Sequence, residues 1–213
     1  MKIQAIITGI TNMKNDNICI SAYDADKRAF IRPLLVGSRL SSSFLSRFNG
    51  LIRIGTQIEF DVVPPPHEPI PPHSEDTWIE PNSVIIKHQL DYPQFKDFIS
   101  SIVDKDITSI YGYGVELLDG QPVVPPESGE RSLGAIICRK CIVYSDYMGK
   151  IRCDITDRSG SVYRKVPVLA RDEQYKKIGE YTNIPIRMGL TRPFKKSTHE
   201  EEYCWVHVSA IFP

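Results

Sequence analysis

Five cysteines and five histidines are the residues of this chain best suited to hold a metal or to act as nucleophiles. Cys138-x-x-Cys141 and Cys204-x-x-His207 have the spacing of zinc ligands. Both pairs fall in stretches that read as strands, and residues three apart on a strand point to opposite faces. The pattern therefore predicts no metal centre. Cys19, Cys153 and Cys204 lie on apolar strand faces, the usual place of inert buried thiols. His67 and His73, with Glu68, Glu75 and Asp76 beside them, have the residue types of acid–base chemistry. They sit in a proline-rich segment that reads instead as a solvated loop. The sequence has no Gly-x-Ser-x-Gly and no His-Glu-x-x-His. Gly112-Tyr113-Gly114 lacks the third glycine and the helix of a dinucleotide fingerprint. No catalytic residue and no cofactor is expected, and the chain reads as a binding protein rather than an enzyme.

Polyanion binding has more support. The net charge is zero, but it is distributed in blocks. Residues 1–53 carry eight Lys or Arg against three acids, residues 54–130 three against fourteen, and residues 131–196 fifteen against six. Two basic blocks around an acidic one favour a basic patch for polyanions, unless folding interleaves them. Candidate nucleic-acid contacts in the first block are Arg28, Arg32, Arg39, Arg47 and Arg53. In the second they are Tyr147, Arg152, Tyr163, Lys165, Arg187, Arg192 and Phe194, with Lys195 and Lys196 adjoining. Basic side chains track phosphates while aromatic rings stack on bases, the combination used to hold single strands. Alternation predicts Tyr163 and Lys165 on one face of their strand, with Val162, Arg164 and Val166 on the other. Arg32 and Arg192 have a second reading, as guanidinium groups tied to backbone carbonyls.

The elements that must position these groups are mostly strands. Gln57–Val62, Lys150–Ile155 and Cys204–Ala210 alternate apolar and polar residues with period two. Asn- and Asp-rich corners at 13–17, 24–27, 146–149 and 157–160 separate such runs. Helix is scarce. The best case is Tyr92–Val103, with Asp91 as cap and Phe95, Phe98, Ile99 and Ile102 on one stripe. Ser42–Phe48 and Asp172–Ile178 are candidate short helices. Each follows the third strand of its half. Three strands, a helix and further strand is the order of a five-stranded OB barrel. The expected architecture is mainly β: two OB-like barrels in tandem with a few short helices. Proline-rich 64–72 and 122–126 lack the amide donors of an interior strand. The second marks the expected division into residues 1–127 and 128–213.

Ile18–Ala22, Phe30–Pro33, Pro72–Trp78, Gly189–Phe194 and Cys204–Pro213 carry a resemblance that runs nearly end to end. On these segments the chain resembles the prokaryotic dual-OB-containing domain family. The tract before Cys19, usually richer in basic residues in that family, offers only Met13-Lys14 here. The resemblance implies two OB-like barrels and a nucleic-acid-sensing role in bacterial defence. The expected partner is nucleic acid, single-stranded by preference. The alternative is a protein partner, docked on the barrels or the proline-rich loop. No run of about 18 apolar residues occurs, so no membrane partner is expected. With no signal peptide read at the start and an odd number of cysteines, the expected location is the cytoplasm.

Overall fold

The computed structural model describes residues 1–213 except Thr198. The chain forms two compact units, residues 1–69 with 75–98 and residues 70–74 with 99–213. The division falls at Phe98/Ile99 rather than at 127/128. Residues 99–127, expected in the first half, group with the second because their short elements pack on its sheet.

In the first unit, β1 (Lys2–Asn12), β2 (Ile18–Asp24) and β3 (Ala29–Leu34) form an antiparallel meander. Helix α1 (Ser42–Ser46) follows, then β4 (Thr56–Asp61), β5 (Asp76–Trp78) and β6 (Ile85–Gln89). The sheet order is β5-β3-β2-β1-β4-β6. β3 and β5 are parallel, with Arg32 opposite Asp76. Beyond the ends of β4 and β5 the ring closes: Val63 N donates to Trp78 O at 3.0 Å and Glu80 N to Asp61 O at 2.9 Å. The cycle β1-β2-β3-β5-β4-β1, with its helix between the third and fourth strands, is that of an OB barrel. The alternating side chains of β4 explain its place: Ile58 and Phe60 enter a core shared with Ile3, Ile7, Ile20 and Ile31. β6 adds a strand to the outside of β4.

Helix α2 (Tyr92–Ser101) begins where the sequence predicts it. Asp91 and Gln94 cap each other's backbone amides, at 2.8 and 3.1 Å. Its apolar stripe buries Phe95 and Ile99.

The second unit holds α3 (Ile107–Tyr111), the hairpin β7 (Glu116–Leu118) and β8 (Gln121–Val124), then β9 (Leu133–Ser145), β10 (Ile151–Thr156), β11 (Val162–Pro167), β12 (Gly179–Leu190) and β13 (Cys204–Ile211). The expected helix over 172–178 is a single 3-10 turn, Glu173–Tyr175, in the same slot between third and fourth strands. Strand order is β11-β10-β9-β12-β13-β8-β7. A parallel bridge from Val168 to Val208 joins the third strand to the fifth and gives the second barrel the same cycle as the first. Both barrels expected from strand order are therefore present.

Strand β8 contradicts the expectation that residues 122–126 hold no interior strand. It lies between β13 and β7. Pro122 faces Leu117 of β7, while the bonds to β13 are made by Val123 and Val124. The missing amide thus costs the ladder little.

Candidate nucleic-acid interface

An OB barrel presents ligands to the outer face of its second and third strands and to the loops after its first and fourth strands. In the first barrel this face is covered. Tyr23 of β2 packs edge-on against Phe30 of β3 at 5.1 Å and against Phe98 of α2 at 5.8 Å. Ser21 and Thr8, on the same side, are buried. So is Arg32, which is only 5% exposed, with Nη1 2.9 Å from Asp76 Oδ1. Burial alone would lower the proton affinity of this guanidinium, but Cys19, Asp76 and Glu75 outweigh it and raise it. Arg32 is a structural cation and does not reach a phosphate. Arg28, Arg39, Arg47 and Arg53 are exposed. They belong to separate places: Arg28 to the β2–β3 turn, Arg39 to the segment after β3, Arg47 to Asn82 Oδ1 at 3.3 Å, and Arg53 to Gln89 Oε1 at 3.2 Å.

The second barrel leaves its equivalent face open. The β9–β10 turn is built on Asp146, whose Oδ1 accepts from Met148 N and Lys150 N, both at 2.9 Å. This closed turn holds Tyr147 outward, at 98% exposure. Asp146 Oδ2 also accepts from Arg152 Nε at 3.0 Å, so the turn and β10 are one unit. The amide of Lys150 and then the Arg152 guanidinium hold the Asp146 carboxyl below the usual carboxylate range. Behind Arg152, Asp154 organises the middle of the face. Its Oδ1 accepts from Tyr144 Oη at 3.1 Å and from Lys165 N at 2.8 Å, and its Oδ2 lies 3.6 Å from Arg164 Nη1.

Strand β11 departs from the expected alternation. Cys153 pairs with Val166 and Ile155 with Tyr163, so Arg164 and Lys165 together oppose Asp154. Lys165 has φ 53°, and this two-against-one bulge resets the pleat. Tyr163 and Val166 both turn inward, and Arg164 and Lys165 are both exposed. Tyr163, at 5% exposure, is a core ring and not a stacking platform. The bulge places two adjacent cations on the open face where alternation predicts one.

Arg187 is also corrected. It is fully buried on β12, with Nη1 donating to Gly134 O at 2.7 Å and to the carbonyl of Met188. Its neighbour in the candidate set, Arg192, lies exposed in the β12–β13 loop (residues 191–203), with Lys195 and the partly exposed Phe194. That loop folds over Trp205 of β13. Phe194 O accepts from Trp205 Nε1 at 3.4 Å, His199 packs on the indole at 5.4 Å, and Lys196 Nζ stands 3.1 Å from the ring centroid. Lys196 also donates to Gln121 Oε1 of the β7–β8 hairpin at 2.8 Å. Its proton affinity is pulled down to about 8, first by burial and then by the charge of Arg152. Arg164 N donates to Gly120 O of the same hairpin at 2.8 Å, so the hairpin links the β12–β13 loop to β11. Trp205, placed on the outer side by its parity on the Cys204 strand, is 3% exposed beneath this loop and is no more a stacking platform than Tyr163.

The metal-like residues separate differently than predicted. Cys204 faces the core and His207 the outside, as alternation requires. Cys138 and Cys141 do not separate: both are buried. Arg139 and Lys140 between them are turned outward, opposite Asn183 at φ 52°, so the pleat of β9 slips by one residue there. The two remain free thiols in side-chain contact with each other. Together with burial, that contact pushes Cys138 far above the ordinary thiol range; it lowers Cys141, but Cys153 and burial outweigh it and raise that thiol as well. Such thiols stay protonated and inert. Among the described residues, no group of three or more His, Cys, Asp or Glu is placed to hold a metal ion. His67 is exposed and edge-on to Trp78 at 5.2 Å, His73 is buried, and Asp76 is committed to Arg32. Among the described residues no helix is long and apolar enough to cross a membrane.

No family model and no curated protein matches the chain. Two solved structures are similar to it. One is a murine DNA-binding protein bound with double-stranded DNA, at 12% identity over 98% of this chain and 95% of that chain, with a TM-score of 0.36. The other is the tetrameric p202 HIN2, at 12% identity over 98% of this chain and 91% of that chain, with a TM-score of 0.34. The OB assignment rests on the strand cycles and not on these likenesses.

Proposed function

We propose that the protein binds nucleic acid on the open face of its second barrel. The observation that carries this is the bulge in β11, which sets Arg164 and Lys165 side by side beside Arg152, with the exposed Tyr147 ring on the adjoining turn. Cations in that row suit the phosphates of a strand, and a free ring suits an unpaired base, which favours single-stranded over duplex ligands. Arg192, Phe194 and Lys195 extend the surface along the β12–β13 loop. The corresponding face of the first barrel is covered by Phe98 of α2, which confines this reading to the second barrel. The segments Gly189–Phe194 and Cys204–Pro213, which carry the resemblance to the dual-OB family, favour an accessory or sensing role in a prokaryotic defence system. Charge reversal tests the location. Arg164→Glu with Lys165→Glu is expected to weaken oligonucleotide binding by about tenfold or more, because two phosphate contacts are lost. Arg28→Glu with Arg39→Glu is expected to change it by less than about threefold at the same salt. The reverse ranking would move the site to the first barrel.

A further inference from the structure

Arg152 and Arg164 on the open face are each paired with a carboxylate, and the two pairs differ. Arg152 Nε lies 3.0 Å from Asp146 Oδ2, with both side chains largely withdrawn from water. Arg164 Nη1 lies 3.6 Å from Asp154 Oδ2, and this arginine side chain is 65% exposed. The first pair is built into the β9–β10 turn. The second is loose, but only at its cationic end. Asp154 Oδ1 accepts from Tyr144 Oη at 3.1 Å and from Lys165 N at 2.8 Å, which fills that oxygen and anchors the carboxylate. The start of Arg164 is anchored too. Its amide donates to Gly120 O at 2.8 Å, and a Cβ built on Gly120 would lie 3.3 Å from Arg164 Cβ. The exposed guanidinium is thus the one part of this arrangement with freedom to move.

We propose that Asp154 is a resident competitor of the ligand: its carboxylate occupies the anion seat of Arg164, and a phosphate binds there by taking the guanidinium from it. This rests on the nucleic-acid reading of the face given above.

The relative strengths favour the exchange. An exposed ion pair gains little, because water screens it and a long side chain loses freedom in holding it. A phosphate offers the planar guanidinium two parallel charge-assisted bonds. The Lys165 amide stays on Asp154 Oδ1 throughout, so the bulge that aligns the two cations survives the exchange. Asp154 then keeps its negative charge beside the phosphate, and that repulsion opposes binding. The sign is therefore the reverse of an ordinary contact residue. Asp154→Asn retains an oxygen for Tyr144 Oη and Lys165 N, loses the charge, and tightens binding.

The test is a titration of Cy5-labelled dT20 by fluorescence anisotropy at pH 7, at low and at high salt. Wild type, Asp154→Asn, Arg164→Gln and the double variant are compared after circular dichroism and thermal melts show that each is folded. Asp154→Asn is expected to bind about threefold or more tighter than wild type at low salt, with a smaller gain at high salt. In the Arg164→Gln background the same gain, as a ratio of affinities, is expected to fall to about half or less. An equal gain in both backgrounds would overturn the proposal, because Asp154 would then act as a general repulsive charge and not as the partner of Arg164. Unchanged or weaker binding by folded Asp154→Asn would also overturn it, while dT20 binding by wild type leaves the nucleic-acid reading standing. A second measurement needs no change at Asp154. The guanidinium nitrogen signals of Arg164 in wild type, assigned by their loss in Arg164→Lys, are expected to shift when dT20 is added, and signals that stay in place would overturn the exchange. Absence of dT20 binding by both wild type and Asp154→Asn at low salt overturns both the proposal and the reading it rests on.

Discussion

Arg32 Nη1 and Asp76 Oδ1 meet at 2.9 Å across the parallel pair β3 and β5, with both side chains almost wholly removed from water. This pair ties β3 to β5, the strand whose other side meets β4 to close the first barrel. Removing one partner leaves a buried charge without its counter-charge, which costs far more than an exposed pair is worth. Asp76→Ala is therefore expected to destabilise the protein by about 3 kcal/mol, read as a lower urea midpoint with the slope unchanged. A loss below about 0.5 kcal/mol would mean that the pair is solvated.

Gly134 carries a steric prediction in the second unit. A Cβ built there would lie 2.5 Å from Ile110 Cγ2 and 2.7 Å from Ile110 Cγ1, because α3 packs directly on β9. Both residues are buried, so the contact has little room to relax. Gly134→Ala is expected to destabilise by about 1–3 kcal/mol through overpacking. Combined with Ile110→Ala the two losses should be less than additive, because the added methyl group occupies part of the space the isoleucine leaves, which thermal melts of the single and double variants would show.

Two tyrosines expected to act together should behave as opposites. Tyr147→Ala removes an exposed ring and is expected to weaken single-strand binding by about 1–3 kcal/mol, with stability unchanged. Tyr163→Phe keeps a core ring in place and is expected to leave affinity unchanged. Oligonucleotide titrations and thermal melts on both variants separate the two roles.

Acid sensitivity has a definite sign. Asp146, bonded to the Lys150 amide and to Arg152, has its proton affinity lowered in the fold. Asp106, which caps α3 through Ser109, and Glu59, bonded to Lys87 and Gln4, are lowered too. A carboxyl depressed by folding adds stability above its unfolded value and loses it as pH falls through the folded one. The melting temperature is expected to hold near neutrality and fall below about pH 4, where these groups take up protons. Asp146→Asn should show a shallower fall. A melting temperature that rises on acidification would contradict the assignment.

Much of the fold was legible because burial follows alternation. Ile58 and Phe60 on β4, and Cys153 and Ile155 on β10, face inward as their spacing requires. The order of strands and short helices was enough to reach two OB barrels. The site was less legible, and the reason is local. Period-two reading fails where the pleat slips, and it slips at Lys165 and beside Asn183, two non-glycine residues with positive φ, of which only Asn belongs to a type that favours it. Those two slips account for the misplacement of Tyr163 and for the meeting of Cys138 with Cys141. Arg187 was misread for another reason, and the same reason left Arg32 with two open readings. A sequence gives the charge of an arginine but not whether a carboxylate or a carbonyl awaits it inside. The hairpin β7–β8 escaped notice because Pro122 disguised a strand whose bonds to β13 begin one residue later.

The most direct test of the central claim is the salt dependence of single-stranded DNA binding at pH 7. If the face formed by Arg152, Arg164, Lys165 and the β12–β13 loop holds the phosphates, the logarithm of the affinity falls linearly with the logarithm of salt concentration. The slope should correspond to about three or more contacts, and Arg164→Glu with Lys165→Glu should reduce it by about one to two. No binding at low salt, or binding that does not weaken as salt rises, would contradict the account.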